Sequence, residues 1–575
     1  MDKKTLIAII ICGVVMLLYY PFILPLFSPK KSKPAEEIKY EEVVSEKHAD
    51  MKAEAEQQPL LKPSTQTIPP QIELPIQEVT IENELLKMVW SNEGAALNSI
   101  ILKHFKDAEA KDILELLKDT YTEYHPLAID TFAQKTSFQR QRYTILEHSA
   151  NKIVFTTKLE EGINIIKTVD LPSDKYNIDM DIAIENTTDT EVSLSYNIIA
   201  SSLITHEGVP STDMAAVAGI DLGNKRTKLA LTAPKAFPFK NESVGIAWAG
   251  STNKYFATIL KPVSSDSVAS MNAQAFDAMG ALSNEKADTG DFMVSLQTNK
   301  FRIPPHQSVK HSYLYFTGPK KEEVLEHYDT LDALLSYGWL TSISKVLLAF
   351  LNGVHKVIPN YGISIIVLTI IIKAILFPLT RKSQVSMFRM QQLQPMINQL
   401  KEKYKHDKQR MGKEQMLLFK KHGANPMSGC LPMLLQLPVF FALFRTLQLS
   451  FEMRQAPFMF WINDLSRPDT LLLLPFTIHF LGNALNILPL IMTGASFAQM
   501  KVIPKAPTAD PKAQAQQKMM SFMPIMFAFI LYHMPSGLTV YWTTSTIFSI
   551  IESLVIRRSL KKIKIKQSGI APQRK

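Results

Sequence analysis

Polar and apolar residues alternate along the first half of the chain and gather into long unbroken runs in the second. The stretches Lys152-Ile-Val-Phe-Thr-Thr-Lys158, Ile163-Asn-Ile-Ile-Lys-Thr-Val169, Tyr176-Asn-Ile-Asp-Met-Asp-Ile-Ala-Ile184 and Val192-Ser-Leu-Ser-Tyr-Asn-Ile198 change polarity at short intervals and are bounded by Asn, Asp, Pro and Gly. A two-residue period turns one face of a strand inward and the other toward water. Similar runs at Val244–Ala249, Phe292–Gln297 and Val309–Phe316 extend the pattern, which predicts an all-β sandwich over residues 78–319. Residues 30–77, rich in Pro, Glu, Lys and Gln, read as a flexible linker.

The period then changes. Leu335, Trp339, Ile343, Val346, Leu347, Phe350 and Val354 recur every three or four residues beside Ser342, Ser344 and Lys345, the pattern of an amphipathic helix within 320–360. Two placements fit it equally: the outer membrane interface, or the surface of the β-domain. Apolar runs that can cross a bilayer follow at Gly362–Leu379, Cys430–Leu449, Leu488–Met500 extended back toward Asn483, Met519–Tyr532 and Gly537–Ile556. With Thr5–Phe27, read as an uncleaved anchor in residues 1–29, they predict a polytopic α-helical membrane protein of about six spans. The run Leu471–Leu481 is short and broken by Pro475 and His479, which suits a re-entrant or interfacial piece.

Charge assigns the sides. The formal charge of +10 concentrates in the loop 381–425, which holds Arg381, Lys382, Arg389, Lys401, Lys403, Lys405, Lys408 and Arg410, and in the tail 557–575. The positive-inside rule puts both in the cytoplasm. The chain is therefore predicted N-in and C-in, with the β-domain outside. Lys30, Lys31 and Lys33 oppose this placement, but the later charges are denser. The cysteines Cys12 and Cys430 both lie in apolar runs, so no disulfide or Cys-based metal site is indicated.

Inside the core 361–556, Lys373 interrupts an otherwise apolar run. A charge at that depth costs about 2.5–3.5 kcal/mol and usually faces a wet cavity or a partner. Thr369 lies one turn before it and Thr380 two turns after, a narrow polar stripe on one face. The alternative is snorkelling toward a helix end near Thr380, about 10 Å away. Other spans are polar too: Ser428, Pro432 and Gln436 are spaced by four, and the last span opens Pro535-Ser-Gly and continues Thr539-Val-Tyr-Trp-Thr-Thr-Ser-Thr546. Hydroxyls can bond their own helix, and Tyr541 with Trp542 can belong to an interfacial belt. Together with Lys373 these residues favour an internal hydrophilic cavity. In the basic loop Met387, Met390, Leu393, Ile397 and Leu400 step by three and four, with Met411 and Leu418 after a polar break, which predicts a helical hairpin whose first arm Pro395 bends. The sequence carries no phosphate-cradling loop, no His-Glu-x-x-His helix and no Gly-x-Ser-x-Gly elbow. Catalytic residues, metal and cofactor are therefore all expected to be absent.

The segments Ser336-Tyr-Gly-Trp-Leu340, Gly362-Ile-Ser-Ile-Ile366 through Phe377-Pro-Leu-Thr380, Asn425-Pro-Met-Ser-Gly-Cys-Leu-Pro432, Gln455-Ala-Pro-Phe458 with Trp461-Ile-Asn-Asp-Leu465, and Phe522-Met-Pro with Pro535-Ser-Gly-Leu538 closely resemble the YidC membrane-protein insertase family, in its long form. The resemblance implies a periplasmic β-supersandwich and a five-span core enclosing a groove open to cytosol and lipid. It also implies insertion and folding of nascent membrane proteins in the bacterial inner membrane, without catalysis. Lys373, Thr369, Gln436, Ser536, Tyr541 and Trp542 would line the groove. The Lys and Arg of the basic loop and tail suit anionic lipid headgroups or the ribosome, and the resemblance adds the Sec translocon with SecD and SecF as an expected partner. The family's groove cation is usually arginine; Lys373 keeps the charge without the bidentate fork. Two rival readings differ in class. A small-anion transporter or channel would favour internally repeated spans, and no convincing repeat is present. A sugar-binding β-domain would rest on fold likeness alone.

Overall fold

The computed structural model describes residues 74–560 apart from 119–123, 134, 136, 160, 203, 208–213, 222–225, 232–244, 265–266, 277–281, 284–291, 336–339, 426–430, 480 and 503–520; for 220–221, 226–231, 282–283, 408, 431–435 and 560 it describes the backbone only. The expected anchor, most of the linker and residues 561–575 of the basic tail lie outside the described residues. Those described divide into two compact units, one ending at Leu334 and the other beginning at Leu335.

The first unit is β-structure apart from single helical turns at Glu322–Leu325 and Leu331–Leu334. Nine antiparallel strands form one sheet in the order Arg226–Leu231, Ala215–Asp221, Gly245–Thr252, Phe256–Pro262, Ser308–Pro319, Asn177–Asn186, Ile163–Asp170, Lys152–Leu159, Thr144–His148. A five-stranded sheet that includes Val268–Phe276, Phe292–Thr298 and Tyr196–Ser202 packs against its Gly245–Thr252 end. Ser201 and Thr258 hydrogen-bond between the two sheets. Gly219 sits opposite Trp248, and a Cβ there would come within 2.3 Å of the indole, so only glycine leaves room for the ring.

The expected strand Val192–Ile198 is two strands broken at Ser195: Val192–Leu194 pairs with Phe301–Ile303, whereas Tyr196–Ser202 joins the five-stranded sheet. In Ile163–Asp170 the period of two turns Ile163, Ile165, Lys167 and Val169 inward together. Lys167 is thus fully enclosed; its ammonium donates to the carbonyls of Ala95 (2.7 Å) and Leu127 (2.5 Å). Burial without a counter-charge pulls its pKa down to about 7.

The second unit is mainly helical: α1 (Thr341–Val357), α2 (Tyr361–Gln392), α3 (Gln394–Lys403), α4 (Lys408–Lys421), α5 (Leu431–Leu449), α6 (Leu488–Val502), α7 (Met523–Leu531) and α8 (Ser536–Leu560). Of these, α2 and residues Ser536–Ser559 of α8 are long and apolar enough to cross a membrane. The predicted count of six crossings is therefore not established by the described helices.

Three expectations are corrected. First, α2 does not stop near Thr380 but continues through Pro378 to Gln392. Proline removes one backbone bond, and the Arg, Lys, Gln and Met that follow are good helix formers. Second, the face by which α1 packs on α5 is not the one the pattern predicts. Ser344, expected on the polar face, is buried with its hydroxyl on the Ala442 carbonyl (3.2 Å), while Val346, expected on the apolar face, is 69% exposed. A small residue lets two helix backbones approach, so the serine marks the contact. Third, the span at Leu488 does not extend back to Asn483: Gly482–Asn486 pairs with Thr470–Ile478 as a hairpin. Asp469 accepts from the amides of Ile487 (3.1 Å) and Leu488 (2.6 Å), which starts α6 at Leu488.

The basic loop folds as two short helices. Pro395 stands in the first turn of α3, after α2 has ended at Gln392. Met390, Leu393, Ile397 and Leu400 pack on Leu418, Phe419 and Ala424.

Candidate functional site

Helices α2 and α8 lie side by side in the same direction. A Cβ on Gly537 would meet Ile365 at 3.5 Å, Lys373 reaches Ser549, and Gln384 reaches Ser553. Both helices are apolar enough for lipid, yet their shared face is polar. The Lys373 ammonium donates to the Ser549 hydroxyl at 2.9 Å, and that hydroxyl donates to the Ser545 carbonyl at 2.9 Å. The Gln384 amide donates to Ser553 Oγ at 2.8 Å. Lys373 therefore points across the helix pair and does not snorkel along α2.

Glu552 stands between these contacts, one turn beyond Ser549. It is 4% exposed, and its Oε1 is buried without a hydrogen-bond partner among the described residues. Lys373 and Glu552 act on each other electrostatically. The seam thus holds one group of each sign, and the opposite charges limit the cost of keeping both out of water.

A second polar contact joins α5 to α8, where the Gln436 amide donates to the Tyr541 hydroxyl. Tyr541 is 2% exposed. Nearby on α8 the hydroxyls of Thr539 and Thr543 are buried without a partner among the described residues. Trp542 is half-buried and meets Phe440 edge-on, with Phe527 beside it.

The sequence-selected residues do not all converge. Lys373, Gln436 and Tyr541 make polar contacts between helices. Thr369 is buried, and its hydroxyl returns to the Ile365 carbonyl of its own helix at 2.6 Å. Ser536, also buried, donates to the Asp464 carbonyl at 2.9 Å and so ties the start of α8 to a connecting loop. The loop cations Arg381, Lys382, Lys401, Lys403, Lys405 and Arg410 are exposed. Arg389 donates to the Gly423 carbonyl at 3.3 Å; the side chain of Lys408 lies outside the described residues.

Sequence reasoning missed Glu552, Ser549 and Gln384. The signal was present in Glu552, the only acidic residue in the run Gly537–Ile556. A lone carboxylate in a span calls for a partner. Among the described residues no three His, Cys, Asp or Glu side chains gather as a metal would require.

Two families match the chain: the 60Kd inner membrane protein family over residues 353–564 and the YidC periplasmic domain over residues 78–350. The membrane protein insertase YidC of Pelobacter propionicus is 32% identical, covering 97% of this chain and 99% of that protein. Its counterpart in Syntrophus aciditrophicus is 31% identical over 97% and 100%. Among solved structures, an active YidC insertase with its first transmembrane domain resolved is 18% identical, covering 85% of this chain and 93% of that one, with a TM-score of 0.33.

Proposed function

Because the chain belongs to the YidC family of membrane protein insertases, we propose that it inserts nascent membrane proteins into the bacterial inner membrane through the polar seam of α2, α5 and α8. The observation that carries this reading is the Lys373–Ser549 contact, a cation held inward between two bilayer-length helices. Such a seam lowers the barrier for the polar tail of a client. An acidic or hydroxyl group of the tail exchanges with Ser549 at Lys373, and amide groups exchange at Gln436. The adjoining apolar segment then moves into lipid, driven by hydrophobic transfer. The membrane potential adds about 2.3 kcal/mol per charge per 100 mV for acidic tails.

No bond is made or broken, so the activity is not enzymatic. The parallel course of α2 and α8 requires an odd number of crossings between them, which α5, α6 and α7 would supply. With the expected anchor this supports six spans, and the basic loop and tail favour both termini inside with the β-unit in the periplasm. The basic hairpin faces the ribosome, and the Sec translocon with its accessory subunits is the partner for clients that use both.

The test places a photocrosslinking residue at Gln436, with a control at Ile551, which is 52% exposed. A ribosome-bound chain exposing one apolar segment is then presented. Crosslinks from Gln436 that change with client length are expected. Their absence in a protein that still supports insertion would remove the seam from the path.

A further inference from the structure

At the end of the apolar run of α2, Phe377, Arg381, Lys382, Val385, Ser386 and Arg389 line an open cleft of about 420 Å³. We propose that this cleft binds the headgroup of an anionic phospholipid from the cytoplasmic leaflet.

The depth argument comes first and rests on α2 crossing the membrane. At 1.5 Å per residue the helix rises about 30 Å from Tyr361 to Arg381, the thickness of the hydrocarbon core. With Tyr361 at one boundary, Arg381 and Lys382 lie at the other, where lipid phosphates are. Charge points the same way. Arg381 and Lys382 are exposed and form no ion pair among the described residues, and no acidic residue described there lines the cleft.

Arg389 supplies a third cation in a fixed position. Its Nη1 is tied to the Gly423 carbonyl at 3.3 Å, which leaves further N–H groups for a phosphate oxygen. Ser386 is committed to the hairpin turn: its hydroxyl accepts from the Asn425 amide at 2.8 Å and donates to the Asn425 carbonyl at 3.2 Å. Recognition therefore falls on the three cations. Phe377 and Val385 give the cleft an apolar side that suits the glycerol and upper acyl carbons and has no use for free phosphate or an RNA backbone.

The experiment uses the full chain purified in detergent, with phosphatidylglycerol or phosphatidylcholine added and bound lipid counted by native mass spectrometry. Wild type should retain about thirtyfold more phosphatidylglycerol than R381Q/K382Q, with R381Q and K382Q each intermediate. K401Q/K403Q, an equal charge loss elsewhere on the hairpin, should match wild type. Equal phosphatidylcholine retention and equal melting temperatures establish that the variants are folded. Phosphatidylglycerol retention unchanged in R381Q/K382Q overturns the proposal. Displacement of the lipid by millimolar inorganic phosphate also overturns it, since the site would then read phosphate alone. Loss of ribosome binding in R381Q/K382Q with lipid retention intact assigns the cleft to nucleic acid and overturns it as well. Lipid is counted without any client, so none of these results bears on insertion through the seam.

Discussion

The Lys373 ammonium lies 2.9 Å from the Ser549 hydroxyl, and Glu552 sits one helical turn further along α8. Lysine and glutamate are thus held on facing helices in surroundings where either charge alone would be costly. The seam is close to neutral at rest while still offering a donor to an incoming tail.

Removing one charge should expose that coupling. Glu552→Gln leaves Lys373 without its opposite charge and is expected to lower the stability of the helical unit by about 3 kcal/mol. Lys373→Met in the same background should recover much of the loss. Thermal unfolding of the two single variants and the double variant completes the cycle. Strictly additive effects would mean that the two groups do not interact.

The α5–α8 contact has a different signature. Tyr541→Phe removes the hydroxyl that accepts from Gln436 and leaves a half-buried amide unpaired, at about 1–3 kcal/mol. Insertion of a reporter client should fall in Tyr541→Phe and in Gln436→Leu, with the double variant no worse than the poorer single one. A double variant far below both would show that each residue contributes separately.

Asp469 accounts for where α6 begins. Asp469→Ala deprives the amides of Ile487 and Leu488 of their acceptor, a loss of about 1 kcal/mol. Hydrogen exchange at these two amides should accelerate roughly fivefold with the centre of α6 unchanged. Unaltered exchange would place the helix start under the control of the Asn486–Tyr532 contact instead.

The β-unit should respond to pH through Lys167. Its folded value, pulled to about 7, lies below the unfolded value of about 10.4. Between the two, the unfolded chain holds a proton that the folded one lacks, so stability rises with pH across this window and falls on acidification toward 7. The expected slope is roughly 1 kcal/mol per pH unit. Melting of the full-length protein, followed through the β-unit, should show the rise between pH 7.5 and 9.5. Lys167→Met should remove that part of the dependence.

The alternation in Ile163–Val169 marks a strand, and the folded domain turns its Lys167 inward with Ile163, Ile165 and Val169. Only the folded domain shows that the Ala95 and Leu127 carbonyls converge on its amine. In the helices the limits were sharper. The polarity of Lys373, Gln436 and Tyr541 stood out because each occurs in an apolar run. Thr369 and Ser536 stood out for the same reason, yet they serve their own helix and a loop junction.

The sequence by itself determined the division into a β-unit and a helical unit, the family, and the presence of a costly lysine within an apolar helix. These follow from period, motif and composition, all local properties of the chain. Tertiary structure alone decided that Lys373 meets Ser549 and Glu552 and that α1 buries Ser344 against α5. It also decided that Leu471–Leu481 contributes to a hairpin. Lys373 and Ser549 lie 176 residues apart and Ser344 and Ala442 lie 98 apart, and such distant partners leave no periodic trace. In helices apolar on every side, hydrophobicity does not mark the packed face, so the rotation of each helix is set by its neighbours.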